Sequence, residues 1–247
     1  MDYIYREEFH IAGNAVDRFN RLKPSALLDM MQQVATNQCA LLDLDWNSMA
    51  KRGLFWAITR QHVQLLRPVL GSTRLTVETW PGITSRVAYP RSTVGYDEAG
   101  NEVFRAISLW VLMDIDNRKM VLPGKSGLDF SGIDRGCELA VPVSLAPVKL
   151  EGNQMRQVRY SELDVNGHMS NTRYLDWMMD LLPSAFHAGH NLQEFTVSYL
   201  REAKEGENIC LNYELEPDGS FRLEAKEGES DHRVFAVKAA FSPQRFA

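Results

Sequence analysis

Two segments of the chain place apolar residues at helical spacing. The first follows Pro24, which suits the first position of a helix because the backbone N–H that proline lacks would have no helical partner there. The second lies between a candidate N-cap, Ser170 or Asn171, and Pro183, which cannot continue a helix. Both segments therefore predict amphipathic helices. Their apolar positions are Leu27, Leu28, Met31, Val34 and Ala35 in the first, and Tyr174, Leu175, Trp177, Met178, Leu181 and Leu182 in the second.

Strand-like segments follow each predicted helix. In the first half, Leu75, Val77 and Thr79 alternate with polar residues, and residues 103–113 form a long apolar-rich run after a turn at residues 97–100. In the second half, three runs follow, with a Pro-Asp-Gly turn between the first two. These runs are residues 210–215, 221–223 and 234–241. Each half is thus predicted to form a meander of antiparallel strands.

The two halves match each other around the predicted helices. Leu28 begins the sequence Leu-Asp-Met-Met, and Leu175 begins Leu-Asp-Trp-Met. The spacing from Leu28 to Leu175 is the same as the spacing from Asp17 to Asp164, and we call it the helix offset. The chain therefore contains an internal repeat that includes the predicted helix and the segment before it.

A second match aligns residues 63–67 with residues 197–201. Its spacing is shorter than the helix offset, and we call it the strand offset. One helix wrapped by an antiparallel sheet is the hot-dog arrangement, and the order of elements occurs twice. We therefore predict an α+β double hot-dog, with an N-terminal domain at residues 1–130 and a C-terminal domain at residues 150–247. Glycines and prolines are concentrated from about residue 126 to residue 153, which predicts a linker there.

Composition and charge limit the possible functions. The chain is 45% hydrophobic and 24% charged, which is ordinary for a soluble protein, and its net charge of −5 argues against a general nucleic-acid or anionic-membrane binder. No apolar run approaches the roughly 18 residues of a membrane span, and the first residues lack a signal-peptide pattern. We expect a cytoplasmic protein without membrane insertion. Its three cysteines, Cys39, Cys137 and Cys210, form no Cys-x-x-Cys pair, so we expect neither a disulfide framework nor a thiolate zinc site. We also expect no other metal site and no cofactor.

The segment at residues 164–171 carries a dense set of chemically active side chains. Asp164, Asn166 and His168 stand at alternate positions ahead of the second predicted helix. A helix N-terminus offers backbone N–H groups and a partial positive charge, which suit a polarised carbonyl or a developing oxyanion. An Asp-x-Asn-Gly sequence is also a common turn. The local pattern therefore leaves a catalytic site and a structural turn both open.

Seven pieces of sequence in a fixed order carry a further pattern: residues 56–63, 77–82 and 108–113 in the first half, and residues 164–171, Tyr174, Trp177 and residues 199–202 in the second. In this order they resemble the acyl-acyl-carrier-protein thioesterases, a family that includes the plant plastid enzymes and bacterial relatives. The resemblance extends over nearly the whole chain. It departs from the family at Ala203, where the family often has a cysteine directly after the glutamate. A Cys-His-Asn triad is therefore not available by that route.

The resemblance implies hydrolysis of the thioester between a fatty acyl chain and acyl carrier protein, which ends chain elongation. The catalytic residues that it implies are Asp164, Asn166, His168 and Glu202. The two carboxylates would activate water or attack the carbonyl directly, His168 would exchange protons, and Asn166 would fix the carbonyl or the imidazole. Backbone N–H groups of residues 168–170 would complete the oxyanion site.

The resemblance also places the fatty chain in the first half. The residues that we expect to line its tunnel are Leu27, Met31 and Trp56. Two alternatives remain open from the sequence, a hot-dog thioesterase that acts on coenzyme A esters and a non-catalytic acyl-binding module. A homodimer is also left open.

Overall fold

The chain folds into two units of the same kind. The computed structural model describes residues 4–128, 132–228 and 230–243. The units are Met1–Pro142 and Val143–Ala247, here called the first and second units. The predicted end of the first domain, at residue 130, lies outside the described residues. No helix in the described part of the chain is long and apolar enough to cross a membrane.

The first unit is an antiparallel sheet with a long helix on it. Its elements are β1 (Tyr5–His10), α1 (Pro24–Leu41), α2 (Trp46–Ala50), β2 (Leu54–Leu65), β3 (Arg74–Pro81), β4 (Tyr89–Tyr96), β5 (Glu102–Asp114) and β6 (Met120–Val121). The strand order is β1-β3-β4-β5-β2, with β6 paired to β5. Helix α1 begins at Pro24 as predicted, and it packs its apolar face against the sheet at β1 and β3.

The second unit repeats this plan with a shorter helix. Its elements are β7 (Gly152–Gln157), α3 (Arg173–Asp180), α4 (Ser184–Gly189), β8 (His190–Tyr199), β9 (Asn208–Leu215), β10 (Ser220–Glu227) and β11 (Arg233–Pro243). The strand order is β8-β11-β10-β9-β7, all antiparallel. Pro183 separates α3 from α4. The sheet orders of the two units are the same when β8 is matched to β2, so the predicted double hot-dog is confirmed.

Helix α3 begins later than the sequence predicts. It starts at Arg173, its N-cap residue is Thr172, and no side chain caps it. The backbone carbonyl of Ser170 accepts the N–H of Arg173 at 3.0 Å, and the hydroxyl of Tyr199 donates to the carbonyl of Asn171 at 3.2 Å. The predicted cap by Ser170 or Asn171 is therefore wrong, because backbone contacts ahead of the helix fix its start.

The segment predicted as a linker is bonded to each sheet. In the first unit, the indole N–H of Trp80 donates to the carbonyl of Arg135 at 2.6 Å, and Cys137 is buried in the same apolar cluster. In the second unit, the backbone N–H of Val148 donates to the buried carboxylate of Glu224 at 3.1 Å. The segment thus covers parts of both sheets in addition to joining the units.

The sheet of the first unit leaves no room for a side chain at Gly95 of β4. A Cβ atom at this position would lie 2.0 Å from the ring of Phe104, which is fully buried. We expect Gly95→Ala to lower the free energy of unfolding by about 1–3 kcal/mol, because the ring cannot move away without strain. Urea unfolding measures the loss. The control is Gly124→Ala, where no atom lies within 4 Å of the added methyl group. Equal unfolding midpoints for the two variants would contradict this packing.

Candidate active site

The loop ahead of α3 is folded around the carboxylate of Asp164. Its Oδ1 atom accepts the backbone N–H of Asn166 at 2.8 Å and that of His168 at 3.3 Å. The side-chain amide of Asn166 lies 3.3 Å from Oδ2. Gly167 has a φ of 74°, in the left-handed region that glycine adopts without strain. The aspartate therefore sets the shape of the loop.

Two backbone hydrogen bonds fasten this loop. The N–H of Asp164 donates to the carbonyl of His168 at 2.8 Å and closes the loop on itself. The N–H of Met169 donates to the carbonyl of Ala203 at 2.8 Å, and we call this second bond the latch. It joins the loop to the segment that follows β8. As a result, His168 comes beside the residue before Ala203, which is Glu202.

His168 and Glu202 are the two reactive side chains that the latch brings together. The distance from Nε2 of His168 to Oε2 of Glu202 is 3.5 Å. This is longer than an ordinary hydrogen bond, but contacts of this kind are often loose before a substrate binds. The side chain of His168 is 17% exposed and that of Glu202 is 50% exposed. The pair is thus held from the protein side and open to an incoming substrate.

The backbone amides expected to form an oxyanion site are already engaged. The N–H groups of His168 and Met169 make the loop and latch hydrogen bonds, and that of Ser170 donates to the carbonyl of Glu162 at 2.8 Å. That expectation is therefore wrong for these three amides. The side chain of Asn166 is exposed beside them and has a second N–H that can reach a substrate.

Aromatic packing supports the loop from the side of α3. The indole N–H of Trp177 donates to the carboxylate of Glu162 at 2.6 Å. Tyr174 packs on Phe235 with ring centroids 4.3 Å apart, and burial raises the pKa of its phenol far above the ordinary value. Tyr174 therefore stays neutral and serves packing.

The first unit contains the same loop. The carboxylate of Asp17 accepts the N–H of Phe19 at 2.8 Å and that of Arg21 at 2.9 Å. The N–H of Leu22 donates to the carbonyl of Val69 at 2.8 Å, as Met169 does to Ala203 in the second unit. The backbone bonds thus reproduce both matches in the sequence. The helix offset relates the two loops, and the strand offset relates the two segments to which they are latched.

The two copies of the loop differ in their reactive side chains. Arg21 stands at the position of His168, and it is bound to Asp17 by an ion pair of 2.9 Å. Pro68 stands at the position of Glu202. The first copy therefore keeps the backbone of the loop but has no counterpart of the His168 imidazole or of the Glu202 carboxylate.

The three cysteines lie outside the loop and the segment after β8. Ala203, at the position where the family often has cysteine, is fully buried. Cys39 and Cys137 belong to the first unit, and in the second unit Cys210 lies on β9 with its sulfur 3.4 Å from the side chain of Asn153. Across residues 4–128, 132–228 and 230–243, no three histidine, cysteine, aspartate or glutamate side chains are grouped as metal ligands.

The expected tunnel residues lie in or beside the core of the first unit. Leu27 and Met31 are buried on the sheet-facing side of α1. Trp56 is partly buried on β2, and its indole N–H donates to the carbonyl of Leu44 at 2.9 Å. Of the three, Met31 alone lines a small cavity between α1 and the sheet. Their role in binding an acyl chain stays a prediction.

Two family descriptions match the chain, one in each unit. The family description "Acyl-ACP thioesterase N-terminal domain" matches residues 2–122, and "Acyl-ACP thioesterase C-terminal domain" matches residues 147–240. The chain belongs to the acyl-ACP thioesterase family. Its two matched segments lie in the two units, and the second contains the whole loop and Glu202.

Individual relatives share a modest part of the sequence. The chain is 23% identical to the chloroplast oleoyl-acyl carrier protein thioesterase 2 of Arabidopsis thaliana, over 84% of this chain and 62% of that protein. It is 26% identical to the chloroplast dodecanoyl-[acyl-carrier-protein] hydrolase of Cinnamomum camphora, over 81% of this chain and 56% of that protein. The chain thus spans less than two thirds of the length of these relatives.

Solved structures share the fold over nearly the full chain. An acyl-ACP thioesterase from Bacteroides thetaiotaomicron has a TM-score of 0.90 at 22% identity and covers 98% of both chains. The 12:0-ACP thioesterase from Umbellularia californica has a TM-score of 0.82 at 22% identity and covers 99% of both. The double hot-dog is therefore the fold of these enzymes as well.

The repeated loop predicts matched effects on stability. Asp17→Ala and Asp164→Ala each remove the acceptor of two backbone N–H groups, so each should lower the free energy of unfolding by about 1 kcal/mol. Asp231→Ala is the control, because that carboxylate is 99% exposed and its ion pair with Lys226 contributes little. Urea unfolding of the three variants gives the comparison. A loss for Asp164→Ala with none for Asp17→Ala would show that the two loops are not held in the same way.

Proposed function

We propose that this chain hydrolyses the thioester of acyl-acyl carrier protein and releases a free fatty acid, and that the second unit carries the chemistry. One observation supports this above all. In the second unit the imidazole of His168 lies 3.5 Å from the half-exposed carboxylate of Glu202, whereas Arg21 and Pro68 stand at these two positions in the first unit. The relatives named as acyl-carrier-protein thioesterases and hydrolases supply the substrate class.

In the proposed reaction, Glu202 is the general base. It takes a proton from a water molecule, whose oxygen then attacks the thioester carbonyl. The tetrahedral intermediate collapses, the carbon–sulfur bond breaks, and protonated His168 gives its proton to the departing thiolate. The proton held by Glu202 can then return to His168 across the 3.5 Å gap, which restores both groups. Direct attack by Glu202, to form an anhydride that water then opens, uses the same residues.

The other two polar residues of the loop have supporting roles in this proposal. The family resemblance implies a base or nucleophile role for Asp164, but its carboxylate accepts hydrogen bonds from the loop backbone, so we assign it a positioning role instead. The side-chain amide of Asn166 is exposed, so it can donate to the carbonyl oxygen as negative charge develops there. The Asn166 side chain would thus make the hydrogen bond to the oxyanion that the backbone amides of residues 168–170, which are already engaged, cannot make.

The carboxylate mechanism predicts opposite results for two kinds of variant. Glu202→Gln keeps the size of the side chain and removes the base, so it should lower kcat by roughly 10²-fold or more. The triple replacement of Cys39, Cys137 and Cys210 by Ala should keep most of the activity, because none of these thiols lies at the family position. Steady-state hydrolysis of an acyl-acyl carrier protein measures both, with thermal melting as the folding control. An inactive cysteine-free protein beside an active Glu202→Gln variant would mean that a thiol carries the reaction.

The choice of carrier depends on basic residues around the loop. Arg173 is paired with Asp176 at 3.1 Å and Arg201 with Glu207 at 2.7 Å. Arg159 and Lys204 are exposed on either side of the loop in sequence. We propose that these last two contact acyl carrier protein, which is strongly acidic. A homodimer stays a separate prediction.

Charge reversal tests the carrier. Arg159→Glu and Lys204→Glu should lower kcat/KM for the acyl carrier protein substrate more than for the coenzyme A ester of the same acyl chain, with a loss that shrinks as salt increases. The control is Arg222→Glu, an exposed residue of β10. Equal losses on the two carriers, or a preference of the unaltered protein for coenzyme A, would favour the coenzyme A thioesterase. Absence of turnover on both would favour a non-catalytic acyl-binding module.

A further inference from the structure

The first unit has a row of polar side chains beneath its helix. Gln61 of β2 lies opposite Ser108 of β5, which lies opposite Arg91 of β4. We call these three residues the polar row. Residues directly opposite one another in a sheet share a face, and Arg91 reaches Gln38 of α1, so this is the face that α1 covers. Each of the three is at most 8% exposed. A face that normally forms the core of a hot-dog domain is polar here.

The second unit shows that the fold does not require this polarity. By the strand offset, Gln61 corresponds to Phe195 of β8, which lies opposite Ala239 of β11, which in turn lies opposite Phe221 of β10. All three are buried and apolar. The two copies therefore share a backbone plan and differ in chemistry at one row. The hydroxyl of Ser108 accepts the indole N–H of Trp110 at 2.9 Å, so its burial is compensated. A buried charge costs more, so Arg91 at this position calls for a functional reason.

The charge of the polar row is not neutralised. The guanidinium of Arg91 donates to the side chains of Gln38 and Thr79 and lies 3.7 Å from the sulfur of Cys39. Burial raises the pKa of the Cys39 thiol, so this group stays neutral. Within the described parts of the chain, no carboxylate lies within ion-pair distance of Arg91. A buried cation in this state has capacity for an additional oxygen ligand.

A cavity adjoins this cation. Its volume is about 10 Å³, and its lining includes Arg91, Gln61 and Ser108 together with Met31 of α1 and Trp110 of β5. A space of this size holds about one oxygen atom with its hydrogens. Methionine is unbranched and adaptable, so Met31 can shift to let a chain approach between α1 and the sheet.

We propose that the polar row receives an oxygen atom at the far end of the acyl chain, a hydroxyl or a carboxylate, so that the preferred substrates are oxygen-bearing acyl thioesters. This inference rests on the proposed function and on the acyl chain occupying the first unit. The guanidinium of Arg91 would donate to that oxygen. A methyl end would bring an apolar group against this charge, so methyl-ended chains are disfavoured.

The test compares matched substrates. Acyl carrier protein is loaded with chains of equal length that end in a methyl, a hydroxyl or a carboxylate group, over a series of lengths, and kcat/KM is measured for each. The unaltered protein should favour one of the oxygen-bearing ends over the methyl end by about 10- to 100-fold at its best length. The better of the hydroxyl and carboxylate ends identifies the ligand. Arg91→Met should remove this preference and keep or raise turnover of methyl-ended chains.

Two controls separate a binding role from a structural one. Arg74→Met replaces an exposed arginine of β3 and should leave the preference unchanged. Thermal melting of Arg91→Met is measured as well, because the change removes a buried charge that has no counter-charge and also the donor of hydrogen bonds to Gln38 and Thr79. A lower melting temperature with an unchanged preference would show that Arg91 is only structural and would overturn the proposal.

Two further outcomes also decide whether the polar row binds an oxygen-bearing chain end. If the unaltered protein prefers methyl ends and Arg91→Met only lengthens the acyl chains that it accepts, the polar row limits chain length and the proposal is wrong. The proposed thioesterase activity is then unaffected. If no thioester is hydrolysed, the proposed function fails. Calorimetric titration with free hydroxy-, carboxy- and methyl-ended acids then tests the polar row by itself. Tighter binding of an oxygen-bearing acid, lost in Arg91→Met, would uphold it, and equal binding would refute it.

Discussion

The latch, one backbone hydrogen bond from Met169 to the carbonyl of Ala203, is the constraint on which the candidate site depends. It joins the loop to the segment after β8. With it, His168 and Glu202 are neighbours although they are far apart in sequence. The carboxylate of Asp164 orders the loop on one side of the latch, and buried Ala203 fixes the other side. Backbone geometry thus places the reactive side chains, and few side-chain contacts are needed to hold them.

Because the latch involves only the backbone, the side chains around it can change. The first unit has the same bond between Leu22 and Val69, with Arg21 and Pro68 in the reactive positions. The cores of the two units also differ in polarity. The first unit has a polar row beneath α1, and the second has only apolar residues in that row. We propose that the second unit carries out the chemistry and that the first recognises the acyl chain.

Much of the fold could be predicted from the sequence, because an internal repeat and a helical spacing of apolar residues can be read directly along the chain. The helix and strand offsets, the start of α1 at Pro24 and the strand now called β5 were all predictable. The start of α3 was not, since it depends on contacts of Ser170 and Asn171 with distant or backbone groups. The hydrogen bonds of the amides of residues 168–170 to Asp164, Ala203 and Glu162 were also missed, because they form only when the loop is folded.

The polar row was missed for a related reason. Gln61, Arg91 and Ser108 lie in three different strands that also contain other polar residues, and a shift of one residue in register would turn each to the other face. Only the pairing of β2, β5 and β4 shows that they share the face beneath α1. A comparison of the two repeats position by position could have suggested it, since Gln61 aligns with Phe195 at the strand offset.

The central claim is that His168 and Glu202 act together as one catalytic unit. A double-mutant cycle tests it directly, with single-turnover hydrolysis of acyl-acyl carrier protein measured for His168→Gln, Glu202→Gln and the double variant. We predict that the double variant is about as slow as the slower single variant, because either change alone disables the exchange of the proton. Losses that add in free energy, with folding intact in all three variants, would contradict the account.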